Sequence, residues 1–182
     1  MRLLPTTIDG VMLVESRVIR DDRGFFNEVH HAEKLAAEGF TTQFVQDNHS
    51  RSAQHVLRGL HFQTKNPQGK LVRPVTGAIF DVAVDLRRSS PTFGRWYGTT
   101  LEAGDGRQLW IPPGLAHGFL VLSDNADVMY KCSEVYDLAS DSVLAWYDPD
   151  VAITWPLPPD VLPLLSPRDA AAPPLSKIPT FE

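Results

Sequence analysis

The sequence predicts an all-β protein, a jelly-roll β-barrel with a few short helices and an extended C-terminal tail. Three observations carry that reading. Apolar or alternating runs of strand length follow one another at close, even spacing. Turn-forming clusters separate them at Asp22-Arg23-Gly24, Asn66-Pro67-Gln68-Gly69, Ser90-Pro91-Thr92-Phe93-Gly94, Gly104-Asp105-Gly106, Pro112-Pro113-Gly114 and Ser123-Asp124-Asn125. Only one segment before the tail has a helical composition. A chain with so many strands needs a closed or double-sheet arrangement to dispose of its edges.

Taken in order, Val11–Ile19 and Phe25–His30 read as strands. His31–Glu38 is an Ala/Glu/Lys segment ended by Gly39, and so a helix. Strands follow at Phe44–Asn48, Val56–Gln63, Leu71–Val75, Ala78–Leu86, Trp96–Leu101, Gln108–Ile111, Gly118–Leu122, Val128–Tyr136 and Val143–Trp146. From Pro156 onward prolines recur, which prevents a central strand and leaves an extended tail with a short helical turn. Within it, Leu164-Leu165-Ser166-Pro167-Arg168-Asp169 mixes charge with apolar, proline-stiffened chain, as expected of a segment packed over a barrel mouth. Residues 1–182 read as one domain, with the tail beginning near residue 156.

Composition limits what such a barrel can do. The 182 residues carry 17 Lys+Arg against 22 Asp+Glu, a formal charge of −5, so no global basic field recruits nucleic acid or an acidic membrane. Local cations must hold any anionic ligand. The single Cys132 rules out an internal disulfide and a cysteine-based zinc site, and suits a reducing compartment. Met1–Pro5 is too short for a signal peptide and no apolar run reaches membrane-spanning length, so a cytoplasmic location is expected.

Chemistry concentrates in Val56-Leu57-Arg58-Gly59-Leu60-His61-Phe62-Gln63. On a regular strand Arg58 and His61 point to opposite faces, and a bulge at Gly59 turns both inward. Polar groups in an apolar barrel are costly unless paired, which marks a site. Gly106-Arg-Gln-Leu-Trp-Ile-Pro112-Pro-Gly114-Leu-Ala-His117 fits G-x5-P-x-G-x2-H, the second sequence motif of the cupin jelly rolls. Metal-binding cupins supply H-x-H and a glutamate from the first motif; the matching positions here look like His61-Phe62-Gln63 and Lys70. Gln63 is a poor transition-metal ligand and Lys70 puts an ammonium where an anionic ligand belongs, so no metal and no cofactor are expected.

A pocket of histidine, lysine and tyrosine suits proton abstraction beside a carbonyl. His61 supplies a base near neutral pH, Lys70 a cation for the developing oxyanion, and Tyr130 a proton donor. His61 needs a carboxylate to orient it; Asp169 and Asp81 are the candidates. Asp81 and Asp85 share strand parity and can both face inward, although Asp85 beside Leu86-Arg87-Arg88 reads as a surface ion-pair partner. Arg23, Arg58 and Arg168 can converge on a diphosphate. Gln46-Asp47-Asn48 add uncharged and charged polar groups, and Tyr136 offers an aromatic face.

Together these blocks resemble the dTDP-4-dehydrorhamnose 3,5-epimerase family of metal-free cupins. The similarity runs from Asp21–Glu28 through Gln46–Ser50, Val56–Gln63, Gln68–Arg73, Phe80–Arg87, Ser90–Gly94, Leu109–Phe119, Tyr130-Lys131, Asp148-Pro149 and Trp155-Pro156 to Ser166–Asp169. The resemblance implies His61 as base, paired with Asp169, and Tyr130 as acid on the opposite sugar face, with Lys70 by the C4 oxygen. It implies Arg23, Glu28, Gln46, Asp47, Asn48, Arg58, His117, Asp141 and Arg168 lining a nucleotide-sugar site, and Tyr136 stacked on thymine. It also implies a homodimer that exchanges N-terminal strands, which fits an exposed apolar run at Val11-Met12-Leu13-Val14. Arg168 stands where lysine is frequent and Asp141 where glutamate is expected. The implied reaction inverts C3 and C5 of dTDP-4-dehydro-6-deoxy-D-glucose to give dTDP-4-dehydro-L-rhamnose. Alternatives are a 3- or 5-epimerase of a related dTDP-4-keto-6-deoxysugar, a metal-dependent cupin oxygenase or isomerase, and a non-catalytic sugar-binding module.

Overall fold

The computed structural model describes residues 1–182. Thirteen strands form two facing sheets and a separate hairpin: β1 (Arg2–Pro5), β2 (Met12–Glu15), β3 (Val18–Asp21), β4 (Gly24–Asn27), β5 (Gln46–Ala53), β6 (Leu57–Gln63), β7 (Lys70–Thr76), β8 (Ala78–Asp85), β9 (Trp96–Glu102), β10 (Arg107–Ile111), β11 (Leu115–Val121), β12 (Asn125–Cys132) and β13 (Asp141–Val143). Helix α1 spans Ala32–Ala37, α2 spans Pro167–Ala170, and a 3-10 turn covers Leu175–Lys177. The six-stranded sheet runs β1-β2-β10-β7-β12-β5 and the five-stranded sheet β13-β6-β11-β8-β9, every pairing antiparallel; β3 and β4 pair only with each other.

Burial explains the sequence pattern. Between the sheets, Val72, Leu109, Ile111 and Val128 of one meet Ile79, Ala83, Leu101, Phe119 and Val121 of the other. The outer face of the five-stranded sheet is covered as well: Leu60, Phe62, Val82, Val84 and Ala116 pack with Leu144, Val151 and Ile178 from the chain that follows β13. Strands buried on both faces read as continuous apolar runs, which is why β8 and β11 lack alternation. Helix α1 covers part of the outer face of the six-stranded sheet, burying Leu35 with Phe40 against Val14, Leu71 and Trp110. His31 caps it, and Gly39 (φ 87°) ends it: Gly39 N–H donates to Ala36 O and Phe40 N–H to Leu35 O, the paired bonds of a Schellman stop.

Several expectations are corrected. β1 was not expected; it pairs with β2 in register Arg2↔Glu15. The run Val11–Ile19 is two strands broken at Ser16-Arg17, and β12 ends at Cys132, short of the expected Tyr136. The run Val11–Val14 is not exposed: Val11 and Val14 are 1% and 0% accessible, and β2 pairs with β10 of its own chain. Near the N-terminus the exposed large apolar side chains lie instead on the hairpin, at Ile19, Phe25 and Phe26. Asp85 is no surface partner either. It is fully buried, accepting from Arg87, Ser90 and Thr92, whose loop folds back over it.

Candidate active site

The site begins with two glycines. The β6–β11 ladder pairs His61 with His117 and Arg58 with Phe119, so two residues of β6 face one of β11, a bulge. At Gly59 (φ 112°) a Cβ would lie 2.6 Å from His117 O, and at Gly118 one would lie 2.6 Å from Arg58 O. Both positions must lack a side chain for the strands to approach. The extra residue turns Arg58 and His61 to the same side, as expected of a bulge at Gly59, and both line a cavity of about 140 Å³ with Ser50, Lys70, His117, Phe119 and Tyr130. A second space of about 80 Å³ adjoins it, sharing His61, Lys70 and Tyr130 and adding Asn48, Gln63, Tyr136 and Asp141 among others.

The chemistry divides between the sheets. His61 and His117 hang from the five-stranded sheet, whereas Lys70 and Tyr130 hang from the six-stranded sheet. A molecule between them therefore meets imidazole on one face and phenol on the other.

Each imidazole has its own carboxylate. His61 Nε2 lies 2.6 Å from Asp169 Oδ1, and His117 Nε2 lies 2.6 Å from Asp81 Oδ1. Of the two candidates to orient His61, the tail's Asp169 does so and Asp81 serves His117. Asp169 is held by its own element: Ser166 caps α2, its hydroxyl donating to Asp169 Oδ2 (2.8 Å) while accepting from Asp169 N–H (3.1 Å). Burial pushes this carboxyl up, but the bonds from His61 and Ser166 outweigh it and hold it below the ordinary aspartate range. An ionised Asp169 accepts from Nε2–H and leaves the other ring nitrogen, Nδ1, free to take a proton. Burial pulls His117 below the usual imidazole range, so it sits neutral beside Asp81, whose Oδ2 is buried without a partner.

Burial also pulls Lys70, 9% exposed, below the ordinary lysine range, against the opposing pull of Cys132, Asp141 and Asp81. Tyr130 is raised by burial and then by Cys132, which keeps its phenol protonated at neutral pH.

At the mouth, Asp141 Oδ2 accepts from both Tyr136 OH (2.7 Å) and Arg168 Nη1. Burial raises this carboxyl, but Arg168 and Tyr136 hold it low. The two residues that depart from the resembled pattern thus face each other, the longer, forked cation reaching the shorter acid. Arg58 is steadied by Ser52, its Nε donating to Oγ at 2.8 Å.

Three expected site residues are elsewhere. Along β5, Gln46, Asn48 and Ser50 point inward, so Asp47 by parity points out, where Lys131 binds it at 3.0 Å. Arg23 pairs with Asp21 at the exposed tip of the hairpin, and Glu28 with Lys34 beside α1. Ser50 and Ser166 were missed, although Ser50 shares the parity of Gln46 and Asn48, and Ser166-x-x-Asp169 is a capping signature. Gln63, at the expected ligand position, spends its amide on backbone groups: Nε2 donates to Asn66 O (3.0 Å) and Oε1 accepts from Asp137 N–H (2.9 Å). No three His, Cys, Asp or Glu side chains converge where a metal could sit.

Comparison with known proteins agrees with this architecture. A family profile described as dTDP-4-dehydrorhamnose 3,5-epimerase matches residues 5–177. The chain belongs to the dTDP-4-dehydrorhamnose 3,5-epimerase family. A relative of that name from Pseudomonas aeruginosa is 51% identical over 170 residues, 93% of each chain. Another from Neisseria gonorrhoeae is 51% identical over 171 residues, 94% of this chain but 52% of the relative, so this chain spans about half that protein's length. Among solved structures, the dTDP-6-deoxy-D-glucose-3,5-epimerase of Legionella pneumophila, in complex with dTDP-4-keto-L-rhamnose, superposes with a TM-score of 0.92. It is 47% identical, covering 98% of this chain and 94% of that one. The all-β, cupin-type jelly roll expected of this epimerase family is the fold observed.

Proposed function

We propose that this chain is an isomerase that inverts C3 and C5 of dTDP-4-dehydro-6-deoxy-D-glucose, giving dTDP-4-dehydro-L-rhamnose. One observation carries the reading: His61 on one sheet, paired with Asp169 of α2, faces Tyr130 on the other, with Lys70 beside the space between. The C4 ketone acidifies the hydrogens on C3 and C5, so one base and one opposed acid suffice for both centres. His61 takes the proton, the Lys70 ammonium steadies the enolate oxygen, and Tyr130 returns a proton from the opposite face. Each pKa unit of mismatch between carbon acid and base costs about 1.4 kcal/mol, so an imidazole needs the ammonium to make the enolate accessible.

The surroundings fit a nucleotide sugar. Arg58 and Arg168 suit the diphosphate, Tyr136 the thymine ring, and Gln46, Asn48 and His117 the remaining polar atoms. Arg23, Glu28 and Asp47 lie outside the cavity of their own chain. We assign Arg23 and Glu28 to the site of a second copy, in a homodimer formed through the apolar hairpin β3–β4. The exposure of Phe25 and Phe26 supports that arrangement over an exchange built on Val11–Val14. Residues 1–182 are proposed to act as one domain. A cytoplasmic setting is proposed from the unpaired Cys132; no helix is long and apolar enough to cross a membrane.

The test is turnover of the dTDP-4-keto sugar in deuterated water. Deuterium entering at both C3 and C5 with inversion is the expected result. Exchange at one carbon makes the chain a mono-epimerase, and no exchange at either removes the assignment.

A further inference from the structure

The loop between β12 and β13 carries Tyr136 and has no ladder to hold it. Its apolar side chains do not anchor it either, since Val135, Tyr136 and Leu138 are 61%, 50% and 75% exposed. Three glutamine side chains hold it instead. Gln63 Nε2 donates to Val135 O at 3.4 Å, and its Oε1 accepts from Asp137 N–H at 2.9 Å, so one amide grips the residues on both sides of Tyr136. The N–H of Tyr136 itself donates to Gln46 Oε1 at 2.8 Å, and Gln68 Nε2 donates to Glu134 O at 2.8 Å. Four consecutive residues, 134 to 137, each give a main-chain group to an amide from β5, from β6 or from the β6–β7 loop.

The residue type matters at Gln63. It is 3% exposed, and it bridges a carbonyl and an N–H two residues apart, which requires donor and acceptor on one group. A glutamate at this position has no proton to donate; a histidine lacks the paired geometry. The Tyr136 hydroxyl is then pinned from the other end by Asp141.

We infer that Gln63, with Gln46 and Gln68, is a positioning residue that fixes the Tyr136 ring at the cavity mouth and thereby sets affinity for the nucleobase end of the substrate. The position that supplies a metal ligand in other barrels of this type has become a clamp for a nucleotide-recognition loop. The inference rests on the proposed nucleotide-sugar substrate, and extends it to a residue that makes no bond to the reacting atoms.

Titration calorimetry with dTDP and with inorganic pyrophosphate, on the full chain, tests it. Gln63→Ala is expected to weaken dTDP binding about tenfold and leave pyrophosphate binding as in the wild type. With the keto sugar, the rise in KM should exceed any fall in kcat. In a Tyr136→Ala background, adding Gln63→Ala should cost nothing further, because the clamp then has no ring to orient. Gln68→Ala, at the exposed end of the clamp, should weaken dTDP binding in the same direction without threatening the fold. Unchanged dTDP affinity in Gln63→Ala and Gln68→Ala overturns the inference, as does a Gln63→Ala loss that persists undiminished without Tyr136. A wild-type chain that binds pyrophosphate but no dTDP overturns the substrate reading, and the clamp's role with it.

Discussion

At the scale of single residues, the site separates three jobs that one imidazole cannot do alone. His61 takes the proton, Asp169 fixes which ring nitrogen is free, and Tyr130 answers from the other sheet. Asp169→Asn keeps the shape but offers Nε2 no anion, so kcat is expected to fall about a hundredfold or more while dTDP affinity holds. Steady-state kinetics beside calorimetry checks both halves. Tyr130→Phe removes only the opposing acid. His61 can then still lift the proton and return it from the same face, so deuterium should wash into recovered substrate faster than inverted product appears. Equal rates of exchange and inversion in that variant count against Tyr130 as the acid. His61, Lys70 and His117 were legible because motif spacing fixes them. The inward or outward sense of Asp47 and Asp85 was not: parity along a strand is visible in a sequence, but its phase relative to the cavity is set by the partner strand.

At the scale of elements, two features hold this geometry: the β6–β11 bulge and the capped α2. Gly118→Ala places a methyl carbon 2.6 Å from Arg58 O, a backbone atom that cannot swing aside. It should cost at least about 2 kcal/mol of stability, read from the urea midpoint, and should depress turnover by displacing His61 from Tyr130. The strands of the five-stranded sheet were readable because burial on both faces makes them uniformly apolar. β1 was not, since four residues ending in Pro5 carry too little pattern to tell a strand from a leader. The tail's role was half visible. Its prolines excluded a strand, and its charge suggested packing over the mouth, but the bridge of Leu164 beside Val56 and the bond of Asp169 to His61, which fix α2 there, are visible only in the structure.

At the scale of the whole molecule, Asp85 ties the end of β8 to the loop that follows it. Burial raises this carboxyl, yet Arg87, Ser90 and Thr92 outweigh it and bring it down from 3.8 to about 2. A carboxyl lowered on folding stabilises the folded chain fully above its unfolded range near 3.8, and loses that contribution as pH falls toward 2. The contribution is about 2 kcal/mol at neutral pH. Asp85→Asn should therefore lower the urea midpoint at pH 7, and the gap to the wild type should narrow as pH falls below 4. A gap independent of pH would show that the buried hydrogen bonds, not the charge, matter there. The jelly roll was legible from strand count and punctuation. The motifs gathered His61, Lys70, His117 and Tyr130 in one pocket, but the order of β6, β7, β11 and β12 in their sheets was not legible, because it depends on crossovers that spacing alone does not encode.

Because proton donor and acceptor hang from opposite walls, the gap between the walls acts as a thickness gauge. Packed sheets stand about 10 Å apart, which leaves room for one flattened sugar ring between two side chains, a face toward each wall. Substituents that broaden a ligand in its own plane can escape toward the open rim. A bulky axial group on either ring face has nowhere to go, so slim planar mimics of the enolate are the natural starting point for tight inhibitors.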